Sequence, residues 1–223
     1  MGAEPKPITI HQAVLRSSSE YFKRAMRPEW SSQRPEPHSS SFCDDDPGVF
    51  RLYGHWVYFR TLPISHTMDP ADIFVELARA YVLGEKLIDA KFKDAIIDTF
   101  VAVGAGMSYN PSGRCVNILY EGTPEGSPAR KTVVDACGRY AHDSQSWIEG
   151  FEKCPKEFLI DAVVELGRRK TSSDQNWLDD PRVYYEKKPT VCGAHSFLCR
   201  SRNKLSRLTV VVEQFSLYLH SHT

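Results

Sequence analysis

Cys192, His195 and Cys199 are residue types that ligate zinc, and the run Cys192-Gly-Ala-His195-Ser-Phe-Leu-Cys199 spaces them workably around one ion. A structural zinc site takes four such ligands. Here the fourth falls to His220 or His222, and no second Cys-x-x-Cys arm follows. These three residues define one alternative function, a small zinc- or thiol-dependent enzyme. Cysteine nucleophiles elsewhere need a thiol, a histidine and an orienting group that converge in space. Cys137 and His142 are close in sequence, but Cys137 shares an apolar stripe with Val133 and Val134, which suits a structural buried thiol. Gly104-Ala-Gly-Met-Ser108 lacks both a preceding strand and the Gly-Lys-Ser/Thr of a phosphate loop, and reads as an interhelical loop. His11 heads a helix, where an imidazole bonded to backbone is expected rather than a base. These readings assign no catalytic residue, no metal site and no cofactor, and the leading expectation is a non-enzymatic protein.

Composition points the same way. Lys plus Arg and Asp plus Glu balance at 28 each, so no global field draws the chain to nucleic acid or an anionic membrane. The basic cluster Arg200, Arg202, Lys204 and Arg207 stands without interleaved aromatics and reads as a solvated linker. With 41% hydrophobic residues and no long apolar run, the 223 residues suit a water-soluble core. Ile96–Val103 is apolar but too short to span a bilayer, and Asp98 punctuates it. Met1–Pro7 has no apolar core of a secretory signal, so an intracellular location, cytoplasmic or nuclear, and six reduced cysteines are expected.

The elements that must position any site follow from periodicity and capping. Ile8-Thr-Ile10 is β-branched and predicts a strand. Val14, Leu15, Phe22, Ala25 and Met26 recur at helical spacing, and Ser17-Ser-Ser19 interrupts them. Two short helices are expected, the second capped by a serine. Arg27–Ser41, with three prolines, predicts a loop whose Ser39–Cys43 end enters a short strand. Asp44-Asp-Asp-Pro47 marks a helix start, with Phe50, Tyr53, Trp56 and Val57 on its apolar face, and Tyr58–Ile64 reads as extended. Asp69-Pro70 begins a helix bearing Phe74, Leu77, Ala78 and Tyr81, where Gly84 marks close packing or an early end. Asp89 caps the next, with Phe92, Ala95, Ile96, Thr99, Phe100 and Val103, and Gly104–Gly113 follows as a loop. Thr123-Pro and Ser127-Pro read as helix starts rather than modification sites. The Ser127-Pro128 helix buries Val133, Val134, Cys137 and Tyr140. Pro155 opens a last helix with Phe158, Leu159, Ala162, Val163 and Leu166 facing inward. Thr171–Lys188 is polar and reads as mobile, while Leu208–Leu219 fits a strand or a short helix.

The order His11-x-x-Val14-Leu15 then Ser19-x-x-Phe22, followed by the acidic turn Asp44–Pro47 into aromatic-rich Phe50–Tyr58, resembles the start of a BTB/POZ domain. Phe74–Ala90 is similar to the helix pair that closes such a domain, and Asn117–Pro128 to a follow-on helical region of fungal members. The resemblance implies an α+β fold, a small sheet with a helical cluster over residues 8–103, then a helical C-terminal extension over 114–170 and a polar linker with an unassigned tail over 171–223. It implies protein–protein interaction: oligomerisation, as a homodimer, or partner recruitment through Ile8, Ile10, Val14, Leu15, Tyr21 and Phe22. Family members usually carry a strand ahead of the one matched by Ile8-Thr-Ile10. Here only Met1–Pro7 precedes it, which leaves a sheet edge unpaired unless another segment or chain covers it. Some members recruit cullin ubiquitin ligases through a hydrophobic-x-Glu element. The corresponding stretch, Pro28-Glu-Trp-Ser-Ser32, sets Ser32 where that element has Glu.

Overall fold

The computed structural model describes residues 6–31, 39–42, 46–65, 67–107, 111, 113–140, 149–169, 181–186 and 208–213. It is α-rich and divides into two units, Met1–Arg60 with His195–Thr223, and Thr61–Ala194. This division cuts across the expected segments 8–103, 114–170 and 171–223, because the tail contributes a strand to the unit that holds the N-terminus.

In that first unit, strand β1 (Lys6–His11) runs directly into helix α1 (Gln12–Ser18). Ser19 then adopts an extended conformation, and its Oγ accepts the Phe22 N–H at 3.1 Å to start α2 (Glu20–Ala25). The serine break therefore makes two short helices, as hydroxyl competition for backbone groups dictates. The expected loop Arg27–Ser41 contains a helical turn, α3 (Pro28–Ser31), with Pro28 at its start, where its missing N–H costs nothing. Strand β2 (Ser39–Phe42) follows at the expected place. Asp46 caps α4 (Pro47–Phe59), its Oδ1 accepting the Gly48 N–H at 2.7 Å. Phe50, Tyr53, Trp56 and Val57 are buried along α4. The helix continues through Tyr58 and Phe59, which were expected to be extended, and ends where Arg60 turns left-handed at φ 57°. Arg60 is held there by stacking 4.3 Å over the Trp56 ring and donating to Ser18 Oγ at 2.8 Å.

The tail resolves its open alternative as strand β3 (Leu208–Glu213), favoured by its β-branched run Thr209-Val-Val-Val212. It lies between the other two, in the order β1-β3-β2. The pairing with β1 is parallel, from Lys6 opposite Leu208 to His11 opposite Glu213, and that with β2 is antiparallel. The strand expected to lack a neighbour therefore has one, supplied from the far end of the chain.

The second unit is helical among its described residues. Asp69 Oδ1 accepts the Ala71 N–H at 2.8 Å and starts α5 (Pro70–Leu87). This helix runs on past Gly84, where a Cβ would lie 2.8 Å from Lys93 Cγ, so the glycine marks close packing and not an end. At its C-terminus Ile88 is left-handed at φ 52°, its N–H bonds Glu85 O at 3.1 Å, and the Asp89 N–H bonds Gly84 O at 3.1 Å. Asp89 then caps α6 (Ala90–Met107) through Phe92 N–H at 3.1 Å, so one residue closes one helix and opens the next.

Because α6 reaches Met107 and α7 (Gly113–Gly122) begins at Gly113, the expected loop Gly104–Gly113 is mostly helix at its start. Helices α5 and α7 meet at Gly122, where any Cβ would fall 2.4 Å from Val82 Cγ2. Helix α8 (Pro128–Tyr140) buries Val133, Val134 and Cys137 of its expected face, and the side chain of Tyr140 lies outside what the structure describes. Helix α9 (Lys156–Arg169) buries Phe158 and Ala162, with Leu159 half-buried, but Val163 is 68% exposed and Leu166 is also exposed. The expected inward stripe is thus narrower than its apolar residues suggested. The stretch Thr171–Lys188, expected to be mobile, includes a 3-10 turn at Pro181–Tyr184, and Tyr184 is buried.

Candidate interaction surface

The six residues expected to form a partner surface fall into two groups. Ile10, Leu15 and Phe22 are 2%, 0% and 0% exposed and belong to the core of the first unit. Ile10 packs against α4, where a Cβ at Gly54 would come 3.4 Å from its Cδ1, and Leu15 and Phe22 sit on the buried faces of α1 and α2. This corrects their assignment to a surface. Ile8, Val14 and Tyr21 are half-buried and remain reachable. Tyr21 meets Phe22 edge-on with ring centroids 5.2 Å apart, which anchors the accessible ring to a fixed one.

Sequence reasoning missed two aromatics in the same unit. Tyr58 and Phe59, at the end of α4, are 43% and 66% exposed. The Tyr58 hydroxyl accepts the His11 main-chain N–H at 2.9 Å and lies 2.5 Å from His11 Nδ1. His11 thus ties the β1–α1 junction to α4 through a tyrosine instead of a backbone group. The signal available in the sequence was Tyr58 and Phe59 continuing the α4 aromatic series. Reading them as extended hid it.

Groups with reactive chemistry are disposed differently. Cys192, His195, Cys199, His220, His222 and His142 lie outside the described residues, and no cluster of metal-ligating side chains occurs among the described ones. Cys137 is buried on α8. Burial pushes the thiols of Cys115 and Cys154 above their ordinary range, opposite to the shift that activates a nucleophile. An open cleft of about 560 Å³ beside Tyr120 and Cys154 is lined by groups that already serve the fold. Tyr120 donates to Asp161 Oδ2 at 2.7 Å, Asn117 Nδ2 donates to Lys153 O at 2.9 Å, and Arg130 stacks on Tyr120 while donating to its carbonyl at 2.7 Å. Burial, then the Asp161 contact, raises the Tyr120 phenol and keeps it a neutral donor.

Among the described residues no helix is long and apolar enough to cross a membrane. Comparison with family models, with curated proteins and with solved structures finds no match to this chain.

Proposed function

We propose that this chain is a non-enzymatic, intracellular protein-interaction module of BTB/POZ type that self-associates through the first unit. The observation that carries the reading is the outer position of β1. It pairs with β3 on one side, and no described strand lies on its other side. The same unit also carries half-buried, reachable Ile8, Val14 and Tyr21. An outer strand with apolar neighbours gains by pairing, since a partner satisfies its N–H and C=O groups and removes apolar surface from water. The chain order of strand, two short helices split by a capping serine, and an aspartate-capped aromatic helix supports the same reading. Cullin recruitment has less behind it, because Ser32 stands where the family's contact element carries Glu.

The test places charge on the reachable residues only. Ile10 is core, so charge there reports on stability rather than association. Ile8→Lys with Val14→Asp is expected to convert a dimer in light scattering to a monomer with unchanged helical circular dichroism. A wild-type chain that is monomeric at high micromolar concentration, or a dimer indifferent to the double change, overturns the proposal.

A further inference from the structure

The second unit holds a six-residue segment whose last three residues are recognised by side chains from three helices. Tyr184 is 2% exposed, and its hydroxyl donates to the Asp135 carboxylate on α8. Lys131 Nζ, one turn away on α8, sits 5.4 Å from the centre of the same ring. The Tyr185 hydroxyl donates to Asp98 on α6. The Glu186 main-chain N–H donates to Asp94 Oδ1 at 3.0 Å, and its carboxylate meets Lys93 Nζ at 3.0 Å and accepts the Tyr81 hydroxyl at 3.1 Å. Lys93 is itself positioned by Glu85 at 3.0 Å, with its side chain only 8% exposed.

The wall thus presents a fixed pattern: three aspartates that accept, then one lysine and one phenol that donate. The segment presents the complement, two phenol O–H groups, one amide N–H and a carboxylate. A stretch needed only to cover apolar core would be held by apolar contact, and here each of three consecutive residues is read by a charged partner. Such bonds are about twice as strong as neutral ones and depend on geometry, which makes them a recognition code. In sequence the segment is set off from α9 by Lys170–Asp180, a stretch rich in serine, aspartate and amide residues.

We propose that the groove formed by α5, α6 and α8 is a peptide-recognition site for a Tyr-Tyr-acid sequence, that Pro181–Glu186 occupies it in cis, and that a partner protein segment of the same chemistry displaces it. This goes beyond the reading of the first unit and depends on none of it. A tethered occupant acts at an effective concentration on the order of millimolar, so a free segment competes poorly until the site is vacated.

The experiment uses the full chain and a fluorescent peptide with the sequence of residues 180–187. Fluorescence anisotropy is expected to show binding to the Tyr184→Ala, Tyr185→Ala, Glu186→Ala chain at least about tenfold tighter than to the wild type. A peptide carrying Phe at both tyrosine positions is expected to bind at least about tenfold more weakly, since it keeps the rings and loses both donors. In the unaltered chain, the Tyr185 and Glu186 amides are expected to exchange hydrogen at least about a hundredfold faster than buried amides of α5 and α6, through local release of the segment. The proposal is overturned by a folded triple variant that does not bind the peptide, or by equal affinity for the Phe peptide. It is overturned equally by a triple variant that no longer folds, or by segment amides that exchange only with global unfolding, since either makes the segment part of the core.

Discussion

Phe22 and Asp94 show how far one side chain can be read before its neighbours are known. Phe22 was legible: a serine break followed three residues later by an aromatic on an apolar stripe predicts a buried anchor, and it is fully buried with Ser19 Oγ capping its amide. Removing a ring from such a site leaves a cavity, so Phe22→Ala is expected to cost about 3–5 kcal/mol in chemical denaturation. A loss below about 1 kcal/mol would mean that the site collapses around the change. Asp94 was not legible, because its role depends on Glu186, which is distant in sequence. Burial raises its carboxyl above the ordinary value of 3.8, the Glu186 N–H bond opposes that rise, and the Glu186 charge adds to it. A carboxyl raised on folding holds its proton more tightly in the folded chain. Its contribution is complete below pH 3.8 and is lost as pH rises through the folded value, so at neutral pH its ionisation opposes folding. Asp94→Asn keeps an oxygen for the Glu186 N–H and removes the charge. Thermal melts at pH 7 are expected to show an unchanged Tm or a rise of up to about 2 °C, a gain that disappears below pH 4 or so. A clear fall in Tm at pH 7 would show that the charge itself holds Glu186.

Elements with a start signal were placed well from sequence, and those without one were not. Ser19, Asp46, Asp69 and Asp89 each cap the helix that their position announces, because an aspartate or serine acceptor meets otherwise unpaired amides of a first turn. Helix ends were harder. Gly84 fitted either close packing or an early end and proves to be close packing within α5, while α6 runs through Gly104, where a loop was expected to begin. The apolar stripe of α9 was read too wide: Phe158 and Ala162 are buried, but Val163 is 68% exposed and Leu166 is exposed too, because periodicity alone does not set how far a stripe is covered. The end of α5 offers a test. Ile88 is β-branched, left-handed at φ 52°, and 49% exposed, so it bears backbone strain and buries little in return. Glycine fits that conformation without strain and keeps both terminal bonds. Ile88→Gly is therefore expected to stabilise by about 0.5–1 kcal/mol, a Tm rise of about 2–4 °C. A fall would show that the half-exposed side chain contributes more packing than its strain costs.

At the scale of the whole molecule, the first unit is discontinuous in sequence: residues 1–60 are completed by residues from 195 onward. No local pattern could reveal this. The β-branched run Thr209-Val-Val-Val212 says that Leu208–Glu213 can be a strand, but nothing near it says that its partners are Lys6–His11 and Ser39–Phe42. Closing a loop of this length costs about 5 kcal/mol by the (3/2)RT ln n relation, so β1–β3 pairing is expected to be a late, non-local event in folding. Central position in the sheet makes β3 indispensable to it, because β1 and β2 each pair with β3 and not with one another. A chain ending at residue 207 should then lose protection of the β1 amides in hydrogen exchange while those of α5 and α6 in the other unit keep theirs. Loss of strand signal without change in the helical signal would accompany it in circular dichroism. Retained protection at Ile8 and Ile10 in the shortened chain would mean that β1 is held by α1 and α4 alone, and that the sheet contributes nothing to the first unit's stability.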